Sequence, residues 1–297
     1  TKGHFETKGP DLRRCARQGS WKDPIAVGGI EGQGKLHISE RSWAVDWVQD
    51  EQSPTLKYDA DKSDADIHFP ILMPSSGRPA IALLDLSGAL RGKRYVQIVC
   101  VKASELEEYR RYWPQMSFFE LPTCATDLGI GASRYWMFKL ASYICSAQEF
   151  PYYFMLDDNV QAWKAIRVGE SDPFFDQWQY QFETFVDGRV GPKKDIPLHE
   201  VLSHFQHDEF RTELAKFGLI GFDRLGFKGS SKHAFGRKHV YKAVLVNLVV
   251  LGAASYRKNV HIWEDLEFNL RISGRERVEG GDSYELTDKE ALAQEHG

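Results

Sequence analysis

The fold of this 297-residue chain is decided by Phe150-Pro151-Tyr152-Tyr153-Phe154-Met155-Leu156-Asp157-Asp158-Asn159-Val160. Five apolar or aromatic residues, 152–156, run directly into two carboxylates and an amide. A short apolar run bounded by proline and then by acids predicts a buried strand. Asp157, Asp158 and Asn159 then lie where that strand leaves the sheet. Because ligands of open α/β sheets bind at the carboxyl ends of strands, we expect a binding site there.

The residues on either side of this stretch alternate between strand and helix patterns. Further strands are predicted over 67–73, 95–101 and 117–121, and a helix from Ser133 to Ala147 leads into the acidic strand. This alternation predicts an α/β fold of Rossmann-like type, with a mostly parallel central sheet flanked by helices. Two outer segments also resemble strands, namely 42–48, in which apolar residues alternate, and the apolar run 241–251. The second run is long enough that a helix is the alternative.

The chain divides by composition into three parts. Residues 1–66 are polar, Gly-rich and charged, and we expect them to form an extension that packs on the core. Residues 67–272 carry the strand and helix patterns and form the predicted main domain. Residues 273–297 form a predicted polar tail.

Composition limits the classes of function. With 42% hydrophobic and 13% aromatic residues, the chain can bury a large core. The net charge of −4 and the pI of about 6.2 argue against strong non-specific binding to nucleic acid. The basic stretch 228–239 is the one local candidate for such a contact. No apolar run approaches the ~20 residues of a membrane helix, so we expect no membrane partner.

The acidic turn has the chemistry of a metal site. The side-chain oxygens of Asp157, Asp158 and Asn159 suit Mg²⁺ or Mn²⁺ and, through the metal ion, a diphosphate. Asn159 is a neutral amide, which binds a divalent ion less strongly than a carboxylate does. The alternative is an Asp-rich turn that only connects two strands.

Two more segments carry candidate site residues. Glu264 and Asp265 precede a predicted helix, where the helix dipole favours carboxylates, so capping of that helix is the alternative role for Asp265. The loop 74–79 follows the first strong strand and contains Arg78. For Arg78, and for Arg134 in the later helix, a surface ion pair is the alternative.

The order of these segments resembles that of the GT-A glycosyltransferases. The resemblance covers roughly residues 67–272. It implies that Pro74, Ser75 and Arg78 contact the nucleotide of the donor, and that Arg134, in the segment 131–134, makes a second donor contact. It also implies that the acidic strand end is the "DxD" site of that family, in which Asp157 and Asp158 contact both the donor and the metal ion.

Within that fold, residues 150–159 and 261–269 are similar to the TET/JBP-associated glycosyltransferases. That group includes the base J glucosyltransferase and the carboxy-terminal domain of the GREB proteins. The resemblance implies transfer of glucose or N-acetylglucosamine from a UDP-sugar to a hydroxyl, assisted by Mn²⁺ or Mg²⁺. It assigns the general base of an inverting reaction to Asp265, with Glu264 as second choice.

The acceptor stays open at this point. Protein Ser or Thr is favoured by the GREB resemblance and by the acidic pI, whereas the base J resemblance implies a hydroxymethylated pyrimidine in DNA. A third possibility is a transferase-like module that binds partners as a transcriptional co-regulator with little catalysis. The resemblance alone implies a nuclear or cytoplasmic location. A haloacid-dehalogenase-type phosphatase is excluded, since Asn159 cannot serve as the second catalytic acid.

Overall fold

A computed structural model describes most of the chain. The described residues are 7–11, 19–29, 32–49, 55–56, 66–125, 129–146, 151–167, 178–184, 193–206, 215–224, 240–260 and 264–279. The basic stretch 228–239, residues 261–263 and most of the predicted tail lie outside these ranges.

The described residues form fourteen strands and seven α-helices. The strands are β1 (Ile25–Gly29), β2 (Gly32–His37), β3 (Val48–Gln49), β4 (Thr55–Leu56), β5 (Ile71–Pro74), β6 (Gln97–Val101), β7 (Ser117–Glu120), β8 (Tyr152–Leu156), β9 (Val160–Arg167), β10 (Trp178–Thr184), β11 (Lys193–Asp195), β12 (Leu219–Gly221), β13 (Asp223–Arg224) and β14 (Ala243–Asn247). The helices are α1 (Ala44–Trp47), α2 (Ser87–Leu90), α3 (Leu106–Tyr112), α4 (Ile130–Ile144), α5 (Leu198–Gln206), α6 (Leu248–Leu251) and α7 (Glu264–Glu279), with a short 3-10 helix at Thr123–Ala125.

An eight-stranded sheet in the order β1-β2-β7-β6-β5-β8-β14-β12 forms the centre of the fold. Its four middle strands, β7, β6, β5 and β8, are parallel to one another. At the edges, β2 and β14 run in the opposite direction, whereas β1 and β12 run with the middle strands. The predicted α/β class and its parallel centre are therefore confirmed, within a sheet that is mixed at its edges.

Helices cover both faces of the central sheet, and strand residues alternate between two cores. Tyr152, Phe154 and Leu156 pack on the face that is covered by α2, α3 and α5. Tyr153 and Met155 pack on the opposite face, against α4 and Phe268 of α7. Because β8 is buried on both faces, its sequence is continuously apolar, unlike the alternating pattern of a strand with one solvated face.

A second sheet, in the order β11-β9-β10-β13, begins immediately after the acidic turn. β8 ends at Leu156 and β9 starts at Val160, so the acidic residues connect the two sheets. The N-terminal residues also join the core, since β1 and β2 extend the central sheet and the backbone amide of Thr7 donates to the carbonyl of Gln161 at 2.9 Å. The exact boundary of the extension stays a prediction.

Two of the predicted strands were wrong in whole or in part. Residues 44–47 form helix α1, because Ala44 and Trp47 are buried at helical spacing, while Trp43, the first of the alternating positions, is exposed. The apolar run 241–251 is strand β14 followed by helix α6. The chain changes direction at Asn247, whose side-chain Oδ1 accepts hydrogen bonds from the amides of Val249 and Val250.

Within the described ranges, we find no helix with the length and apolar character that are needed to cross a bilayer.

Candidate functional site

The predicted site residues meet at the carboxyl edge of the central sheet. β5 and β8 are parallel neighbours, with Leu72 opposite Met155, so the residues that follow the two strands lie side by side. Ser75 follows β5, and the acidic turn follows β8. Lys242 lies at the same edge, because it immediately precedes the antiparallel strand β14.

The acidic turn is a tight connection fixed by its backbone. The amide of Asp157 donates to the carbonyl of Lys242 at 2.7 Å, and the amide of Val160 donates to the carbonyl of Asp157 at 3.4 Å. Lys242 also donates from Nζ to Oδ1 of Asn159 at 3.4 Å. These contacts hold the backbone of the acidic turn in place. Its three side chains point in different directions.

Asp158 points into the protein. Its buried carboxylate accepts hydrogen bonds from Nε of Arg78 at 2.8 Å and from the hydroxyl of Ser75, and Nη2 of Arg78 lies 2.6 Å from its second oxygen. Burial raises the pKa of Asp158, and the contacts with Ser75 and Arg78 oppose that rise without cancelling it. Asp158 thus forms a two-point ion pair with a single arginine.

Helix α3 and the residues that flank it hold the loop that carries Arg78. The hydroxyls of Ser75 and Tyr109 share a hydrogen bond of 2.6 Å, and the amide of Gly77, at φ +69°, donates to Glu105 at 2.8 Å. The indole of Trp113 donates to the carbonyl of Pro79 at 2.8 Å. With the loop fixed in this way, 43% of the Arg78 side chain is exposed although it pairs with Asp158.

Arg134 connects the two acidic segments. Its guanidinium, only 4% exposed, lies 2.7 Å from Oε1 of Glu264 through Nη1, and Nη2 donates to Oδ1 of Asp157 at 3.3 Å. Nη1 is also 3.8 Å from Oδ2 of Asp265. One buried cation therefore lies among three carboxylates that come from chain segments about a hundred residues apart.

The electrostatics of this cluster follow from burial and from charge. Burial alone would lower the pKa of Arg134, but Asp157, Tyr256, Glu264 and Asp265 raise it well above its ordinary value. Burial raises the pKa of Glu264, and Arg134 opposes that rise. Arg134 is therefore permanently charged, and it is the counter-ion that allows Glu264 to stay buried.

A glycine allows α4 and α7 to approach closely enough for this contact. Gly131 lies one helical turn before Arg134, and a Cβ at position 131 would collide with the carbonyl of Val260 and lie 3.2 Å from Cβ of Glu264. Any larger residue would push the start of α7 away from α4. The close approach is what brings Glu264 within reach of the guanidinium.

The two predicted bases differ in accessibility. Glu264 and Asp265 both lie in the first turn of α7, as predicted. The Glu264 side chain is 6% exposed, whereas that of Asp265 is 27% exposed. The amide of Leu266 donates to Oδ1 of Asp265 at 2.9 Å. Asp265 is therefore the acid of this pair that a ligand can reach more easily.

The predicted site residues thus fall into two adjoining groups. Pro74, the buried last residue of β5, leads into the group formed by Ser75, Arg78 and Asp158. Asp157 and Arg134 belong to the group that includes Glu264 and Asp265. The charge of the Arg134 guanidinium already has carboxylate partners. Its direct contact with a donor therefore stays a prediction.

The fit of a divalent cation can be judged from the oxygens that the turn offers. Over the described part of the chain, we find no group of three His, Cys, Asp or Glu side chains arranged as a metal cage. Asp158 is held by short contacts with Arg78, at 2.6 and 2.8 Å. Asp157, which is 18% exposed, and Asn159 accept longer hydrogen bonds, from Arg134 at 3.3 Å and from Lys242 at 3.4 Å. One carboxylate and one amide suit an ion that is also bound by a diphosphate, which is the usual mode of Mg²⁺.

Sequence reasoning missed three residues that shape the site. Lys242 adopts φ +65° and contacts the acidic turn twice, but it lies in an apolar run that carried only a strand signal. Tyr109 and Glu105 hold the Arg78 loop, and their helical positions gave no sign of that role. The close approach at Gly131 is the one feature with a visible signal, a glycine near the start of a helix.

A family model described as TET-Associated Glycosyltransferase matches residues 69–277. GREB1-like protein of Homo sapiens is 28% identical over 241 residues, which cover 75% of this chain and 12% of that protein. GREB1-like protein of Mus musculus is 27% identical over 238 residues, with the same coverage. Protein GREB1 of Homo sapiens is 22% identical over 237 residues, which cover 74% of this chain and 11% of that protein.

The chain thus spans about an eighth of the length of these curated relatives. No solved structure matches it significantly.

Proposed function

The chain belongs to the TET-associated glycosyltransferase family, and on that premise we propose that it transfers a sugar from a UDP-sugar to an acceptor hydroxyl. The observation that carries this proposal is the shared contact of two distant acids with Arg134. Asp157, at the end of β8, lies 3.3 Å from its guanidinium, and Asp265, at the start of α7, lies 3.8 Å from it. A donor site and a base would therefore occupy one cleft.

The donor diphosphate would bind beside the exposed guanidinium of Arg78. Charge that develops on the leaving diphosphate is best stabilised by cations that are already in place. Mn²⁺ or Mg²⁺ held by Asp157 and Asn159 would supply further positive charge to the same phosphates. Asp158 was also predicted as a metal ligand, and it could act as one only by giving up its contacts with Arg78.

Asp265 is the proposed general base. It takes the proton of the acceptor hydroxyl as the oxygen attacks the anomeric carbon of the sugar. The bond between that carbon and the phosphate oxygen breaks, and UDP leaves with the electron pair. A single displacement of this kind inverts the anomeric configuration. Glu264 is less suited to the role, because its carboxylate is buried against Arg134 at 2.7 Å.

Protein Ser or Thr is the proposed acceptor, with glucose or N-acetylglucosamine as the transferred sugar. The net charge of −4 gives the chain no general attraction for a polyanion. Modified DNA would require a local basic surface, and its one candidate, 228–239, lies outside the described residues. A nuclear or cytoplasmic location accords with a protein acceptor of this kind and forms part of the proposal.

A transfer assay with two acceptors tests the proposal. The chain is incubated with UDP-glucose or UDP-N-acetylglucosamine, labelled in the sugar, and with Mn²⁺, Mg²⁺ or EDTA. The acceptors are a degenerate Ser/Thr peptide mixture and a DNA duplex that contains a hydroxymethylated pyrimidine. We expect one of the two donors to label the peptides and neither to label the DNA.

Two results would change this assignment. Label on the DNA alone would support the base J type of acceptor. Binding of a UDP-sugar without transfer or hydrolysis, with either acceptor and either metal, would show a transferase-like binding module instead. The Asp265→Asn variant is assayed under each of these conditions and gives the background labelling.

A further inference from the structure

We propose that Asp158 is a positioning residue for Arg78 and that it binds no metal ion during donor binding. The inference rests on the proposed function, since it assigns a role within the same donor site. It starts from the direction of the Asp158 side chain, which points away from Asp157 and Asn159 and into the loop after β5.

The contacts of Asp158 are those of a residue that orients a guanidinium. Both carboxylate oxygens face Arg78, at 2.8 Å from Nε and at 2.6 Å from Nη2. Only the Nε contact has the geometry of a hydrogen bond, and the Nη2 contact is an ion pair by distance. Two close contacts of this kind restrict the orientation of the guanidinium as well as its position. The Arg78 side chain is still 43% exposed, so the guanidinium stays accessible to a ligand while it is paired.

The surroundings of the pair restrict its movement. The hydroxyl of Ser75 bonds both Asp158 and Tyr109, so the carboxylate is linked to helix α3. The carbonyl of Asp158 accepts a hydrogen bond from the amide of Leu83 at 2.8 Å, which holds the far end of the Arg78 loop. An arginine that is already oriented loses less conformational entropy when it binds a diphosphate, and binding is tighter as a result.

A buried aspartate also pairs with an arginine away from the proposed donor site. Asp66 is buried and pairs with Nε of Arg94 at 2.8 Å and with Nη2 at 2.6 Å. This pair precedes β5 and β6, at the opposite edge of the central sheet from the acidic turn. Asp66→Asn is therefore a control that breaks an equivalent ion pair without touching the donor site.

The test is calorimetric titration of UDP into the wild-type chain, Asp158→Asn, Arg78→Gln, their double variant and Asp66→Asn, at several Mn²⁺ concentrations. The loss of one charge-assisted contact corresponds to a roughly 10- to 100-fold weaker affinity. We expect that loss for Asp158→Asn and for Arg78→Gln, and no further loss in the double variant. The Mn²⁺ concentration that gives half-maximal UDP binding should stay unchanged, and Asp66→Asn should bind UDP within about twofold of wild type.

Thermal unfolding separates this role from a purely structural one. Because Arg78 is partly exposed, water replaces its lost contact, and Asp158→Asn should change the Tm by no more than about 3 °C. Arg78→Lys gives a second measurement if Asp158→Asn fails to fold. Lysine keeps the charge but cannot form the two-point contact, so we expect it to weaken UDP binding almost as much as glutamine does.

Four results would overturn the inference. Asp158 is a metal ligand if Asp158→Asn keeps its UDP affinity at saturating Mn²⁺ but requires far more Mn²⁺ to reach it. The two residues act independently if the losses of the single variants add in the double variant, or if Arg78→Lys binds UDP like wild type. If the wild-type chain binds no UDP at all, the proposed function fails together with the inference.

Discussion

Asp265→Asn is expected to lower the rate of sugar transfer by about 10²- to 10⁴-fold, the usual contribution of a general base. The substitution preserves the size of the side chain and removes only its basicity. UDP affinity should be unchanged, because Arg78 and Asp157 supply the proposed donor contacts. Folding stability should also be retained, since an amide oxygen can still accept the hydrogen bond from the amide of Leu266.

The measurement is single-turnover transfer with enzyme in excess over labelled donor, alongside thermal unfolding of the same samples. Glu267→Gln is the matched control, because Glu267 lies in the same first turn and its carboxylate bonds Arg271 at 2.8 Å. It should transfer at the wild-type rate. The assignment fails if Asp265→Asn keeps that rate, and Glu264 becomes the base if Glu264→Gln alone loses transfer while still folded.

Arg134→Leu is expected to destabilise the fold by about 3–5 kcal/mol, the usual cost of leaving a buried charge without its partner. Glu264 is buried and would lose its contact at 2.7 Å, while Asp157 and Asp265 would repel one another without a cation between them. Urea unfolding gives the free energy of unfolding directly.

Two further variants make this measurement specific. Arg111→Leu removes an exposed pair with Glu108 and should cost no more than about 1 kcal/mol. The double variant Arg134→Leu/Glu264→Leu removes both buried charges and should recover part of the loss. A cost below about 1 kcal/mol for Arg134→Leu would mean that the cluster does not need its cation, and that Arg134 is free for the donor contact predicted from the sequence.

The centre of the fold could be predicted because its strands carry strong local signals. The run 152–156 is apolar at every position, and such a run marks a strand that is buried on both faces. The edges of the sheet carry no such signal. β2 contains two glycines and a lysine, and it joins β7 through contacts between residues more than eighty positions apart. The antiparallel edges therefore could not be inferred from the local pattern.

The sequence indicated where the candidate site residues would gather, but not which of them would contact one another. Strand ends and a helix start indicated where the acids would gather, and Arg134 indeed contacts both Asp157 and Asp265. The direction of each side chain depends on a distant partner. Asp157 and Asp158 are neighbours with the same chemistry, and Asp158 points inward only because Arg78, eighty positions away, lies beneath it. A residue list alone gives no basis for choosing between them.

The most direct test of the account is a calorimetric titration of UDP, UDP-glucose and UDP-N-acetylglucosamine into the wild-type chain, with and without Mn²⁺. The account predicts that UDP and one of the two UDP-sugars bind at a single site. Ligand at ~100 times its Kd should stabilise the fold by about 2.7 kcal/mol. Arg78→Gln should weaken all of these interactions. The absence of any heat and of any thermal shift at millimolar nucleotide would contradict the claim that this cleft is a donor site.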